Sequence, residues 1–311
     1  MNGRSRVPSP PHNTTAFIME PILAKSPIPR RACAGYASLA MTRAVLGLAF
    51  ATVLMLSPAH GQSVRALIAE AAALLPVRYE LANLEAVIRL YEQALAQEPR
   101  NPVYLTWLAQ LWYEWAILVP EGMQGSGWQK AANYGFQALG LAGFAEAQGM
   151  SDAAFRQLLA RTTDAAPILW AAHGWGQLLG QMNPFSAFFA LPKIRAMYAR
   201  VIELDPGYHG GSGPQAYGAL LANLSDYGVL FGARLADAKL YFEMALSLDP
   251  TYLENHVAYA REYAVRAGDR ALFADLLNHV LAAPIGDWPF WNRYAKEKAQ
   301  EYLSKIERYF R

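Results

Sequence analysis

The chain has 311 residues, of which 54% are hydrophobic and only 17% charged; about a quarter is usual for the charged share, so a large core or an apolar cavity has to absorb the excess. Of the 27 bases and 25 acids, six bases and one acid (Glu20) fall in residues 1–61, leaving 21 against 24 in the rest. That mildly acidic remainder excludes the basic footprint of a nucleic-acid binder, and the single cysteine, Cys33, excludes disulfides, zinc–thiolate sites and cysteine nucleophiles from everything after it.

Residues 1–40 are rich in proline, serine and arginine without periodicity, and are expected to be a mis-assigned start or a disordered leader. Met41-Thr42-Arg43 then opens a secretory signal over residues 41–61: a short basic region, an apolar run over residues 44–57, and Ala59-His60-Gly61 in small-x-small spacing before cleavage. The run is shorter than the about 20 residues a bilayer span needs. Gln62 is the expected mature N-terminus, and residues 62–311 the one mature domain, exported to the periplasm. Cys33 precedes the apolar run and therefore cannot carry a lipid anchor.

Further along, three segments end alike: Tyr91, Ala94 and Pro99; Tyr198, Val201 and Pro206; Phe242, Ala245 and Pro250. Each sets an aromatic and a small or β-branched residue three apart on one helix face, then a proline that stops the helix. This is the second helix of a tetratricopeptide (TPR) hairpin, whose period is about 34 residues. First helices follow each stop, one after Pro102 with Tyr104, Leu105, Leu108 and Ala109, another over residues 253–266 with Tyr259, Ala260 and Tyr263. A degenerate unit holds Ala131, Gly135 and Ala138, and the last closes with Leu272, Leu276 and Pro284. The reading is all-α, TPR-like hairpins around an apolar cavity or pore, with no strand signal. Three stretches read as insertions between helices: residues 119–127, the Phe-rich 183–192 and the Gly-rich 207–214.

Chemistry-bearing motifs are sparse. Residues 210–214 (Gly-Gly-Ser-Gly-Pro) lack the Lys-Ser/Thr of a phosphate loop, and Gln124 stands where a nucleophile elbow before Ser126 needs glycine. His173, His209, His256 and His279 are isolated, with no second ligand at metal-site spacing. No cofactor, metal or enzymatic activity is expected. The aromatic surplus is the informative feature. Trp112, Trp115, Trp170, Trp175, Phe185, Phe188 and Phe189 are expected to line an apolar cavity, with His173, Tyr217 and Glu114 as its polar groups. For Glu114 the alternative is the wet face of its helix.

The segment Ala165-Ala166-Pro167-Ile168-Leu169-Trp170-Ala171-Ala172-His173-Gly174-Trp175-Gly176, the stop at Arg200 to Pro206, the Gly-rich stretch, residues 238–250 and Tyr259-Ala260-Arg261-Glu262-Tyr263-Ala264 together resemble the T-component family of TPR-associated TRAP transporters, over roughly residues 65–310. The resemblance implies a compact helical protein around a hydrophobic pore or cavity. It also implies a periplasmic solute-binding protein as partner, and a homo-oligomer, a trimeric form being known. A related branch, associated with the outer membrane, takes part in bacterial sterol trafficking. The expected function is therefore non-enzymatic: binding a lipid, sterol or amphipathic organic acid and exchanging it with the solute-binding protein. The alternative is a TPR scaffold in the cell envelope without a ligand of its own.

Overall fold

Polar caps and prolines set the helix starts. Ser63, Asn101, Ser151, Asp164, Asn183 and Asp269 each accept a hydrogen bond from a backbone N–H of the first turn that follows. Pro102, Pro184 and Pro289 occupy first-turn positions, where a missing N–H costs nothing. The computed structural model describes residues 62–310; the leader and the signal sequence lie outside the described residues.

The helices are α1 (Val64–Leu74), α2 (Leu81–Gln97), α3 (Pro102–Leu118), α4 (Glu121–Ala138), the short α5 (Phe144–Gly149), α6 (Asp152–Arg161), α7 (Ala165–Leu178), α8 (Pro184–Leu204) and α9 (Tyr208–Ser225). After them come α10 (Gly228–Phe231), α11 (Leu235–Leu248), α12 (Glu254–Ala258), α13 (Val265–Ala267), α14 (Arg270–Ala282), α15 (Pro289–Ser304) and α16 (Ile306–Tyr309). Short 3₁₀ turns at Leu75–Val77 and Leu179–Gln181 follow α1 and α7, and a π-helical turn, Tyr259–Ala264, joins α12 to α13. Hairpins form between α1 and α2, α3 and α4, α7 and α8, α9 and α11, and between the π turn and α14; each also packs on the next. The fold is all-α and TPR-like. Among the described residues no helix is long and apolar enough to cross a membrane.

The small residues sit where helix axes come closest. A Cβ on Gly174 of α7 would lie 2.6 Å from the backbone nitrogen of Ala132 in α4, and one on Gly135 of α4 would lie 2.7 Å from the Ala171 Cβ. Side chains of ordinary size at these crossings would force α4 and α7 apart. Tyr91 and Ala94, Val201 and Tyr198, and Phe242 and Ala245 are all buried, as the TPR spacing requires.

Two of the three stretches read as insertions, 119–127 and 183–192, turn out to be largely helical. Only Val119 and Pro120 separate α3 from α4; Gly122, Gly125 and Gly127 lie inside α4. Gly127 is there for contact, since a Cβ would meet that of Ala116 at 2.7 Å. The Phe-rich stretch is the start of α8, which continues through Pro192. Burial of Lys193, Ile194, Met197 and Tyr198 just beyond holds the helix together despite the lost backbone bond. The Gly-rich stretch does break the helix locally. His209, Gly210 and Gly211 are left-handed, with φ of 50°, 66° and 81°, before α9 runs on to Ser225. Gly210 is doubly required there, because a Cβ would also lie 2.6 Å from the Tyr252 ring.

The hairpins curl until the last long helix meets the first hairpin. On α15, Phe290 packs edge-on against Tyr79 with centroids 5.4 Å apart, and the Arg78 guanidinium lies 5.1 Å from the same ring. Closure of the solenoid on itself encloses the site.

Candidate functional site

A cavity of about 630 Å³ lies inside this ring, walled by α3, α4, α7, α8, α9, α12, the π turn and α15. Its lining mixes apolar groups, Ile117, Leu179, Ile194, Leu220 and Val257 with the rings of Trp128 and Trp291, with uncharged polar ones such as His173, Gln177, Gln215 and Asn223. Tyr113, Tyr252, Tyr294 and Tyr302 add phenols, and Glu254, Arg261, Glu262 and Lys298 add charge. Its size falls within the usual range of about 300–1,000 Å³ for ligand pockets, which combine apolar walls with a few orienting polar groups.

The π turn carries part of the charged lining: Arg261, half-exposed, and Glu262, buried, both border the cavity. Single π turns occur often at functional sites. Arg261 donates from Nε to Glu262 Oε1 at 2.6 Å and from Nη1 to the Tyr302 hydroxyl at 3.1 Å. Glu262 Oε2 also accepts from Asn223 Nδ2 at 2.9 Å and from Arg266 Nη1 at 3.3 Å. Lys298 donates to Glu301 at 2.9 Å, which also accepts from Lys305 at 2.7 Å, so each cavity cation is paired with a carboxylate that a second cation shares.

Glu254 differs. Its Oε2 is sealed from solvent and has no hydrogen-bond partner. Burial pushes its carboxyl up to about 8; Arg261 and Lys298 oppose the shift and Glu262 adds to it. Burial also raises the phenols around it, Tyr113 to about 12, and Tyr252 and Tyr294 well above their usual range. Against the Tyr113 ring, 5.2 Å between centroids, burial lowers His173 to about 3, so its ring is neutral, with Nδ1 3.1 Å from the Tyr198 hydroxyl.

Of the ten residues expected to line a cavity, His173 does so here. Trp170 is fully buried one layer behind the wall, its ring against Tyr113, His209 and Trp291 and its Nε1 donating to the Tyr208 hydroxyl at 3.3 Å. Trp175 fills a core box of Phe136, Phe144 and Phe155. Trp112 lies edge-on to Trp115 under the Lys130 ammonium, which stands 3.5 Å from its centroid, and Trp115 donates to Glu85 of α2 at 3.1 Å. Tyr217 packs on Tyr241 between α9 and α11. Phe185, Phe188 and Phe189 are 72%, 36% and 56% exposed, clustered on one another and on Phe231. These three occupy the outer face of α8 because Ile194 and Tyr198 take its inner one. Glu114 is neither on a wet face nor in this cavity. It is fully buried, clamped by Arg78 Nε at 2.7 Å and Nη2 at 2.9 Å, with Gln110 Nε2 at 2.9 Å.

The phenolic and charged lining was missed from sequence. One signal was available: Trp291, Tyr294, Lys298 and Tyr302 recur at three, four and four residues, the spacing of a single helix face. The π turn that adds Arg261 and Glu262 has no such signature. Among the histidines, the fold brings together one pair, His256 and His279, stacked 4.5 Å apart.

Residues 126–310 match the family model described as TRAP transporter T-component, more than half of the chain. The chain belongs to the TRAP transporter T-component family. Membership makes it a transporter-associated component of the cell envelope and implies interaction with a TRAP solute-binding protein. The matched region of this T-component contains every cavity residue except Tyr113, Ile117 and Gln124. Among solved structures it is similar to a thermophilic TPR protein of Thermus thermophilus, 18% identical over 76% of this chain and 100% of that one, with a TM-score of 0.49. No curated protein matches it.

Proposed function

We propose that this T-component is a non-enzymatic periplasmic carrier. It holds one amphipathic, largely hydrophobic molecule in the ring-enclosed cavity and exchanges it with a TRAP solute-binding protein. The observation that supports this most is the cavity itself, whose lining combines the apolar Ile117, Leu179, Ile194 and Leu220 with phenols and paired charges. Such a surface matches a ligand with a greasy body and one polar end. Removing the body from water supplies the affinity, about 0.8 kcal/mol per buried methylene, and the polar groups orient it. The secretory signal read over residues 41–61 supports the periplasmic location.

Native mass spectrometry of the protein purified from the cells that make it tests this reading. The expected result is a bound organic molecule that moves to the solute-binding protein on mixing. A chain that is always empty, takes up no amphiphile and passes nothing on would instead favour a scaffold.

A further inference from the structure

Three residues that line the cavity keep a buried polar atom without a partner: the indole N–H groups of Trp128 and Trp291, which can only donate, and one oxygen of Glu254. Glu254 stands at the start of α12, its backbone carbonyl pinned by Gln215 Nε2 of α9 at 3.3 Å, its side chain partly open to the cavity and its Oε2 sealed and unpartnered. The other oxygen, Oε1, is the edge of the carboxyl left open to the cavity, so a ligand oxygen bonded there would give this group its first hydrogen-bond partner.

The charges around it say which kind of oxygen. Arg261 is held by Glu262 and the Tyr302 hydroxyl, and Lys298 by Glu301. Glu262 is in turn shared with Arg266 and Asn223. Glu301 is likewise shared with Lys305, at 2.7 Å. An incoming anion would have to compete with Glu262 for Arg261 or with Glu301 for Lys298 while losing its hydration. α14 meets α12 through His279, stacked on His256, whose ring burial lowers to about 4 and so keeps neutral. Tyr113 of α3, Tyr252 and Tyr294 of α15 add neutral hydroxyls.

We propose that the carboxyl of Glu254 reads an uncharged, oxygen-bearing head group, a hydroxyl or carbonyl, on the amphiphile held in this cavity. In its neutral form Glu254 donates its one O–H to the ligand oxygen, and a hydroxyl ligand can donate in turn to a neighbouring phenol. Loss of that proton leaves a carboxylate with no donor, in a pocket whose other charges are already matched. Binding is therefore coupled to protonation: the neutral-acid form holds cargo, and affinity falls as pH rises through the range near 8 where burial places this group.

The inference rests on the cavity being the ligand site, and the test separates the two. The probes are 1-dodecanol, uncharged at any working pH, and dodecanoate, anionic from pH 7 upward. The readout is tryptophan fluorescence, since Trp128 and Trp291 line the cavity. Wild-type affinity for 1-dodecanol should fall about tenfold between pH 7 and 9, the ratio of protonated fractions for a group titrating near 8. Glu254→Gln keeps a donor and cannot titrate, so it should bind as wild type at pH 7 and give a flat profile. Glu254→Leu should bind roughly tenfold more weakly at pH 7, with thermal unfolding of both variants measured alongside. Dodecanoate should bind more weakly than 1-dodecanol. A flat wild-type profile, an unaffected Glu254→Leu, or tighter binding of dodecanoate would overturn the role of Glu254 and leave the carrier reading standing. No response to either amphiphile at any pH would overturn both.

Discussion

Replacing Arg78 by methionine tests what locks the first hairpin to α3. Arg78 follows the 3₁₀ turn after α1 and donates twice to Glu114 of α3, at 2.7 and 2.9 Å, and once to the Leu75 carbonyl at 2.8 Å, while its guanidinium lies by Phe290 of α15. The Glu114 side chain is 0% exposed and that of Arg78 is 14% exposed. Methionine preserves the stem but leaves a buried carboxylate with Gln110 as its remaining donor. Breaking such a pair from one side costs about 3–5 kcal/mol. For a domain of this size each kcal/mol shifts the midpoint by roughly 2–4 °C, so thermal unfolding should fall by about 10 °C. The double variant Arg78→Met with Glu114→Gln removes the stranded charge and should recover at least half of that loss. A single-variant cost below about 1 kcal/mol, or a double variant as unstable as the two singles combined, would refute the pair as the lock between the first hairpin and α3.

Gly174→Ala places a methyl where the backbone of Ala132 stands 2.6 Å away, and should cost about 3 kcal/mol in denaturant unfolding; no change would mean α4 and α7 are not tightly crossed. Lys193→Met removes three donations, to the carbonyls of Ala147, Gln148 and Met150 at 3.3, 3.0 and 2.6 Å, and hydrogen exchange should accelerate in α5 before anywhere else. Burial lowers both His173 and His209 to about 3. The unfolded chain therefore binds protons first, and stability should drop as pH falls below about 6.5, by roughly 1.4 kcal/mol per unit per histidine. His173→Gln should flatten part of that acid limb in pH-dependent unfolding. Glu254 has the opposite sign: its raised acid is stabilising at low pH, and that contribution is lost as pH rises through about 8. Glu254→Gln should therefore gain stability at pH 8.5 and change little at pH 4.

The hairpins were legible because TPR punctuation is local. Tyr91 with Ala94, and Phe242 with Ala245, state a helix face and a close approach within four residues, and both pairs are buried as that spacing implies. Two of the stretches read as insertions failed for one reason: glycine and proline were weighed by propensity, whereas Gly127 and Pro192 sit in helices whose burial overrides it. The third, Gly-rich stretch does interrupt its helix, at His209 to Gly211. The cavity failed differently. Aromatic surplus in a sequence does not say which rings fill the gaps between hairpins and which face the inside of the ring. Trp175 and Trp128 look alike until α5 and α6 supply Phe144 and Phe155 to box in the first and leave the second on the cavity wall.

The charged lining of the cavity comes from one part of the chain. Glu254 of α12, Arg261 and Glu262 of the π turn and Lys298 of α15 lie at the C-terminal end of the curl, whereas α3, α4, α7 and α8 contribute uncharged groups. Regularity is broken at this end: a π turn replaces α-helix, and α15 turns back to meet Tyr79 and Arg78. The same helix, α15, therefore makes the contact with the first hairpin through Phe290 and supplies Tyr294, Lys298 and Tyr302 to the cavity, so a change that loosens the first also disturbs the second.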